Sequence, residues 1–280
     1  MARLTISDLR QKKFNEEKIT MVTAYDFPSA LMAEKAGLDM ILVGDSLGMA
    51  MLGYDTTLPV TMDEMIYHTK AVTRGARHTF VVGDMPFLSY HRSLGETITN
   101  AGRFLQEGGA QGVKLEGGSE QREKIQALTA IGIPVLGHIG LTPQSVHQLG
   151  GFKVQGKKTK EAEKLIEDAK SLEESGAFAI VLECIPAPLA GIISKTITIP
   201  TIGIGAGVSC DGQVLVWHDL LGLSPGKLPR FVKKYANLHD NIVAALENYK
   251  TDVEKGQFPE EKHTYALDGE NLAALYASYE

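Results

Sequence analysis

A parallel β/α barrel is the fold class this sequence predicts. Three observations carry the prediction: the length, the unbroken apolarity of the short β-rich runs, and the helical patterns between them. The chain has 280 residues, close to the roughly 250 of one such barrel. Length alone also permits two ordinary domains, so the pattern has to decide. Eight runs qualify as strands: Met21 to Tyr25, Met40 to Gly44, Thr79 to Gly83, Gly112 to Leu115, Pro134 to Gly137, Ala179 to Leu182, Thr201 to Ile204 and Val214 to Trp217. They are apolar almost throughout and do not alternate, as befits strands covered on both faces.

The segments between the runs carry helix signals. Thr61 with Glu64 and Ser93 with Glu96 have the spacing of capping boxes, in which two side chains satisfy unpaired backbone donors at a helix start. Gly37, Gly75, Gly109, Gly132 and Gly176 stand just before the next strand, where a left-handed helix end favours a residue without Cβ. Strand and helix in alternation imply right-handed parallel crossovers. Two regions fall outside this unit. Ile139 to Lys160, rich in glycine and lysine, is a long connection of the kind that serves as a lid. Lys233 to Glu280 reads as a long helix, a polar tail and a short apolar segment, Leu272 to Tyr279, that packs on the barrel or on another subunit. The expected organisation is a single domain over the whole chain, with a barrel core over about residues 20–225, an extra N-terminal helix and a C-terminal helical extension beyond.

Composition narrows the function. Hydrophobic residues make up 44% and charged residues 22%, which is enough for a large core. Lys plus Arg number 28 against 34 Asp plus Glu, a formal charge of −6, so no global positive field gathers nucleic acid or acidic lipid. The two cysteines, Cys184 and Cys210, form neither a disulfide framework nor a paired metal motif, and a reducing compartment follows. The start is polar, and the most apolar stretch, Ala179 to Ile193, is broken by Glu183, Pro186 and Pro188. A cytoplasmic protein with no membrane segment is expected.

Catalytic groups of a parallel barrel lie where the strands end, because all those ends open on one face. The ends here carry Asp45-Ser46, Asp84, Lys114 with Glu116, His138, Glu183-Cys184 and a glycine run from Gly203 to Gly207. One strand-end carboxylate is ordinarily a helix cap. Four at one mouth repel each other unless a cation sits among them, and oxygen ligands favour Mg²⁺ over zinc. Lys114 and Glu116 are two residues apart, so both side chains point into the barrel; Lys114 is then either one half of a buried ion pair or a cation aimed at an anionic substrate. His138 is equally a structural or a functional residue at this stage. The glycine run lacks dinucleotide spacing and suits close packing or close approach to a ligand.

These strings are specific enough to place the chain beside a known family. Thr23-Ala24-Tyr25-Asp26, Val43-Gly44-Asp45-Ser46-Leu47-Gly48, Gly83-Asp84-Met85-Pro86-Phe87, Val113-Lys114-Leu115-Glu116-Gly117-Gly118, the run from Gly137 to Gln144 and Gly203 to Gly207 occur in order at barrel-like spacing. The chain resembles the 3-methyl-2-oxobutanoate (ketopantoate) hydroxymethyltransferases over nearly its whole length. The resemblance implies a barrel of the phosphoenolpyruvate/pyruvate-binding type. It also implies transfer of a one-carbon unit from 5,10-methylenetetrahydrofolate to 3-methyl-2-oxobutanoate, giving 2-dehydropantoate in pantothenate biosynthesis. One Mg²⁺ per subunit and a cytoplasmic homodecamer are implied with it. Carried over residue by residue, Asp45, Asp84 and Glu116 resemble the metal shell, Asp45, Ser46, Asp84, Lys114 and His138 resemble substrate contacts, and Glu183 resembles the catalytic base. The scheme that suits them is enolisation of the 2-oxo acid beside a Lewis-acidic ion, with Glu183 taking the C3 proton and attack on the one-carbon unit following. Two other readings stay open on the residues alone: a lyase or mutase of the same barrel class, and a catalytically silent barrel acting as a binding module.

Overall fold

The computed structural model describes residues 3–224, 226 and 228–279; the outer limits of the predicted domain, Met1 and Glu280, and Pro225 at the predicted end of the core lie outside the described residues. Eight parallel strands close into a barrel in chain order. They are β1 (Ile19–Thr23), β2 (Met40–Val43), β3 (Phe80–Asp84), β4 (Gly112–Glu116), β5 (Val135–Gly140), β6 (Ala179–Glu183), β7 (Thr201–Ile204) and β8 (Gly212–Leu215). Every run read from the sequence contains a strand; β7 has the expected limits and the others are shifted at one or both ends. β1 and β8 each begin two residues earlier than expected, since Ile19 pairs with Gly212 to close the barrel. Trp217 begins a short helix instead of ending a strand.

The helices are α1 (Ile6–Phe14), α2 (Phe27–Lys35), α3 (Leu47–Ala50), α4 (Met62–Gly75), α5 (Leu94–Gln106), α6 (Arg122–Ala130), α7 (Val146–Leu149), α8 (Thr159–Glu174), α9 (Ala187–Thr196), α10 (Trp217–Leu220), α11 (Leu238–Glu254) and α12 (Gly269–Tyr279). Thr61 and Glu64 form the expected capping box at the start of α4. At α5 only half of one forms: Ser93 accepts from the Glu96 amide, while the Glu96 carboxylate is drawn to Arg92. Gly37, Gly109, Gly132 and Gly176 have positive φ, as expected. Gly75 does not; it is the last residue of α4, and a Cβ there would meet the Phe27 carbonyl of α2 at 2.6 Å. Close helix contact, not a left-handed cap, requires that glycine.

Side chains alternate along each strand between two apolar clusters, because successive residues point to opposite faces of the wall. Inside the barrel lie Met40, Leu42, Phe80, Val82, Leu136, Val181 and Val214. Outside, under the helices, lie Ile41, Val81, Val113, Ile180 and Leu182. Leu9 of α1 belongs to the inner cluster and is 1% exposed, so α1 closes the barrel at the N-terminal ends of the strands. Truncating Leu9 to alanine costs about 2–5 kcal/mol by opening that end. The inner stack continues toward the other end as Asp84 above Val82, His138 above Leu136 and Glu183 above Val181. The alternation that fills the core thus also delivers the polar groups to the mouth.

The outer ring is incomplete. No helix separates β7 from β8, and β8 leads only into the four-residue α10 before the chain runs on. No residue of α11 or α12 is buried. Thr20 on β1 and Gln213 on β8 are exposed, although outward residues of a barrel wall are ordinarily covered by helices. The C-terminal extension has the long helix read from the sequence, α11, and the short apolar segment is a second helix, α12; beyond the Leu238 and His239 amides, which donate to the Leu221 and Gly222 carbonyls, neither helix buries a residue.

Candidate active site

Strand register decides which polar groups meet at the mouth. Asp84 is paired in register with Lys114, and Glu116 with His138. Glu183 stands beside Gly140, two residues beyond His138 on the inward face. Asp45 follows β2 in a tight turn, and its backbone amide donates to Asp84 Oδ2 at 3.2 Å. Ser46 starts α3, with its Oγ 2.9 Å from the Tyr25 hydroxyl. All seven residues predicted from the sequence line one cavity of about 350 Å³. Apolar side chains complete the lining, among them Met49, Phe152, Val216 and Phe231.

The charges are buried and unevenly matched. Lys114 Nζ lies 2.5 Å from Asp84 Oδ1 and 3.7 Å from Glu116 Oε1, with all three side chains at most 5% exposed. Burial alone would strip the ammonium of its proton, but Asp84, Glu116 and Asp45 outweigh it and raise its pKa. Asp45 finds no cation at contact distance among the described residues; burial, then repulsion from Asp84, holds its pKa well above the carboxylate range. Burial raises Asp84 as well, against the pull of Lys114. Glu116 is pushed up by burial but pulled further down by contact with His138 and Lys114. Asp84 and Glu116 thus share one ammonium, and Asp45 stands beside them with no cation of its own among the described residues.

His138 spans the site. Its Nδ1 is 3.3 Å from Glu116 Oε1, and its Nε2 is 3.3 Å from Glu183 Oε2. Neither contact is aligned as a hydrogen bond, and both ring nitrogens are buried without a hydrogen-bond partner among the described residues. They act as charge contacts. Burial works against protonation of the ring, but the two flanking carboxylates outweigh it and raise its pKa to about 9. Glu183 is the most accessible acid of the group, with its side chain 17% exposed toward the cavity. The next residue, Cys184, has φ +47°, unusual for a residue with a Cβ, so the backbone turns sharply once Glu183 is in place. Burial, then Glu183, raises the Cys184 thiol to about pKa 12, which disfavours the thiolate.

An ion fits the donor chemistry in part. With Asp45, Asp84 and Glu116 all ionised the cluster would carry two negative charges beyond Lys114, the charge of one divalent cation, and Glu116 Oε1 is buried without a hydrogen-bond partner among the described residues. Among the described residues, however, no three His, Cys, Asp or Glu side chains stand in a finished metal-holding arrangement. Lys114 holds the position between Asp84 and Glu116. The sequence also gave no prominence to Tyr90 and Gln144, both buried beneath the cavity. Gln144 Nε2 donates to Asp45 Oδ2 at 2.8 Å. Its only signal was its place in the string that follows β5, beyond the strand end where site residues are sought.

The sequence matches the family described as Ketopantoate hydroxymethyltransferase over residues 3–261. The chain belongs to that family. A 3-methyl-2-oxobutanoate hydroxymethyltransferase of Carboxydothermus hydrogenoformans is 59% identical over 276 residues, which span 99% of this chain and 100% of that protein. One from Syntrophomonas wolfei is 58% identical over the same shares. Among solved structures, a phosphonopyruvate hydrolase in complex with oxalate and Mg²⁺ superposes with a TM-score of 0.61 at 14% identity, covering 100% of this chain and 96% of that one. A 2,3-dimethylmalate lyase of the PEP mutase/isocitrate lyase superfamily gives 0.60 at 16% identity, over 92% of this chain and 91% of that one. At such identities the likeness establishes the barrel type and nothing finer. Membership of the hydroxymethyltransferase family decides against the lyase or mutase reading and against a silent barrel.

Proposed function

We propose that this chain transfers a hydroxymethyl group from 5,10-methylenetetrahydrofolate to 3-methyl-2-oxobutanoate, giving 2-dehydropantoate for pantothenate biosynthesis. The observation that carries the reading is the convergence of Asp45, Ser46, Asp84, Lys114, Glu116, His138 and Glu183 on one cavity with an apolar rim. Asp45, Asp84 and Glu116 are the residues that would hold a divalent ion, Mg²⁺ by ligand type, and such an ion supplies Lewis acidity to the oxygens of a 2-oxo acid.

The chain's own groups do the rest. Glu183, the most exposed acid of the group, takes the proton from C3 of the 2-oxo acid. His138 keeps that carboxylate oriented through its 3.3 Å contact. One water adds to the methylene unit as its two C–N bonds break, the folate nitrogens take up the protons, and the carbanion equivalent left at C3 attacks the formaldehyde-level carbon, whose oxygen is protonated to the new hydroxyl. Ser46, held by Tyr25, donates to the substrate carboxylate, and Lys114 balances the charge of the acids around it. Phe152 brings the Ile139 to Lys160 connection to the cavity rim, and the Gln155 amide donates to the Cys184 carbonyl at 2.9 Å. That connection is anchored beside Glu183, where it limits access of bulk solvent to the carbanion. Thr23, Val181 and Val214 offer apolar surface for the branched end of the substrate.

The chain is read as one barrel domain with a helical extension. A homo-oligomer is supported by Ile242, Val243, Leu246, Leu272 and Leu275, which lie exposed along α11 and α12; ten subunits in the cytoplasm are what the resemblance implies, and sedimentation at equilibrium measures the number. No helix among the described residues is long and apolar enough to cross a membrane. The central test is exchange of the C3 proton of 3-methyl-2-oxobutanoate in deuterated water without folate. Wild-type protein catalyses it, and Glu183→Gln does not while still binding the substrate. Full exchange by that variant removes Glu183 from its role.

A further inference from the structure

We propose that Gln144 is a positioning residue that fixes the separation of Asp45 and Glu116, so that the two carboxylates are presented to a cation and not to each other. The inference rests on the reading of the acidic cluster as a metal site. It stands on hydrogen bonds from one neutral residue, whose side chain reaches Asp45 and the Met85 carbonyl and whose backbone amide reaches Glu116.

Gln144 is 6% exposed, and every polar group of its side chain is engaged. Its Nε2 donates to Asp45 Oδ2 at 2.8 Å and to the Met85 carbonyl at 2.9 Å. Its Oε1 accepts from the Tyr90 hydroxyl at 2.7 Å. Its backbone amide donates to Glu116 Oε2 at 3.0 Å. Two acceptors on one side and a phenol on the other fix which way the amide points. Tyr90 in turn accepts from the Glu116 amide at 3.2 Å, so the phenol spans Gln144 and the backbone of the residue it helps to place.

The chain reaches this position by a turn that only glycine allows. Gly140 has φ +98°, and a Cβ there would lie 2.2 Å from the Glu183 carbonyl. Pro143 then opens the single 3₁₀ turn that carries Gln144 inward. Two carboxylates in excess of their cations drift together with a proton, or apart toward solvent, unless neutral donors hold one oxygen of each. Gln144 supplies a donor to one oxygen of Asp45 and one of Glu116, leaving the second oxygen of each for another partner. Groups that support metal ligands in this way change metal affinity by about 10–100-fold when removed.

The test uses Mn²⁺ titrated into the full chain without substrate, read by electron paramagnetic resonance, beside thermal melting in EDTA. Gln144→Leu, close in volume, binds Mn²⁺ about tenfold more weakly than wild type and melts within a few degrees of it. Tyr90→Phe, which removes the hydroxyl that orients the amide, weakens Mn²⁺ binding in the same direction by a smaller factor. Should Gln144→Leu fail to fold, Tyr90→Phe and Gln144→Glu carry the test. The latter keeps the shape but sets a third acid against Asp45, and it must also alter the Mn²⁺ affinity. Folded variants that bind Mn²⁺ within twofold of wild type overturn the positioning role and leave the metal reading intact. A wild-type protein that takes up no Mn²⁺ overturns both.

Discussion

The two ends of this barrel use the same residue types to opposite effect. At the N-terminal ends of the strands, Lys12 pairs with Asp39 at 2.6 Å and Lys13 with Asp211 at 2.9 Å. Asp39 also accepts from the amide and hydroxyl of Thr20, and Asp211 from those of Thr201. Lys13 donates as well to the carbonyls of Ser194, Ile197 and Ile199. Each acid has its cation and each cation its acceptors. At the C-terminal ends, two buried acids share Lys114 while Asp45 has no cation in contact among the described residues, and His138 lies between two carboxylates without an aligned partner. One end is satisfied and holds the fold. The other is left with surplus charge, the condition under which a site binds and reacts.

Substitutions should therefore separate stability from activity according to the end they touch. The largest effect is expected for Glu183→Gln, which lowers C3 proton exchange and hydroxymethyl transfer by about 10²–10⁴-fold with an unchanged melting temperature. A variant that melts much lower, or exchanges normally, breaks the comparison. Next comes the ion: Mg²⁺ at about 100 times its dissociation constant stabilises the wild-type protein by about 2.7 kcal/mol, read as a rise in melting temperature that EDTA reverses.

Smaller, and opposite in kind, is Asp211→Asn at the satisfied end. It costs about 1–3 kcal/mol because Lys13 loses its charge partner in a largely buried setting, and kcat and KM for the remaining folded enzyme stay at wild-type values. A change in stability of the opposite sign is predicted for Asp45→Asn. In EDTA it melts at the wild-type temperature or higher, by up to about 2–4 °C for each kcal/mol of repulsion relieved. It also loses the Mg²⁺-dependent rise. If Asp45→Asn melted lower than Asp211→Asn, the contrast between the two ends would be wrong.

Much of this was legible in the chain itself. The inward direction of Lys114 and Glu116 followed from their spacing of two, and Asp84 and Glu183 were found by looking where apolar runs stop. The limits of β1 and β8 were misplaced by two residues because the pairs that close the barrel there, Ile19 with Gly212 and Thr20 with Gln213, include a glycine and two exposed polar residues, which hydrophobic patterning does not register. Ser93 and Glu96 had the spacing of a full capping box, but Arg92 competes for Glu96, a contact that the motif does not contain. Gln144 was passed over because it lies in a turn beyond its strand, where no period applies.

By itself the sequence determined the strand count, the barrel class, the end of the molecule that carries the chemistry and the residue types gathered there, because each of these follows from local period and polarity. Only the tertiary structure decided that Lys114 goes to Asp84, that His138 stands between Glu116 and Glu183, that Gln144 joins Asp45 to Glu116, and that α11 leaves the wall at β8 and β1 bare. The reason is physical: a strand's alternation fixes the face a side chain points to, but its neighbour across the barrel is set by register and closure, which depend on every strand at once.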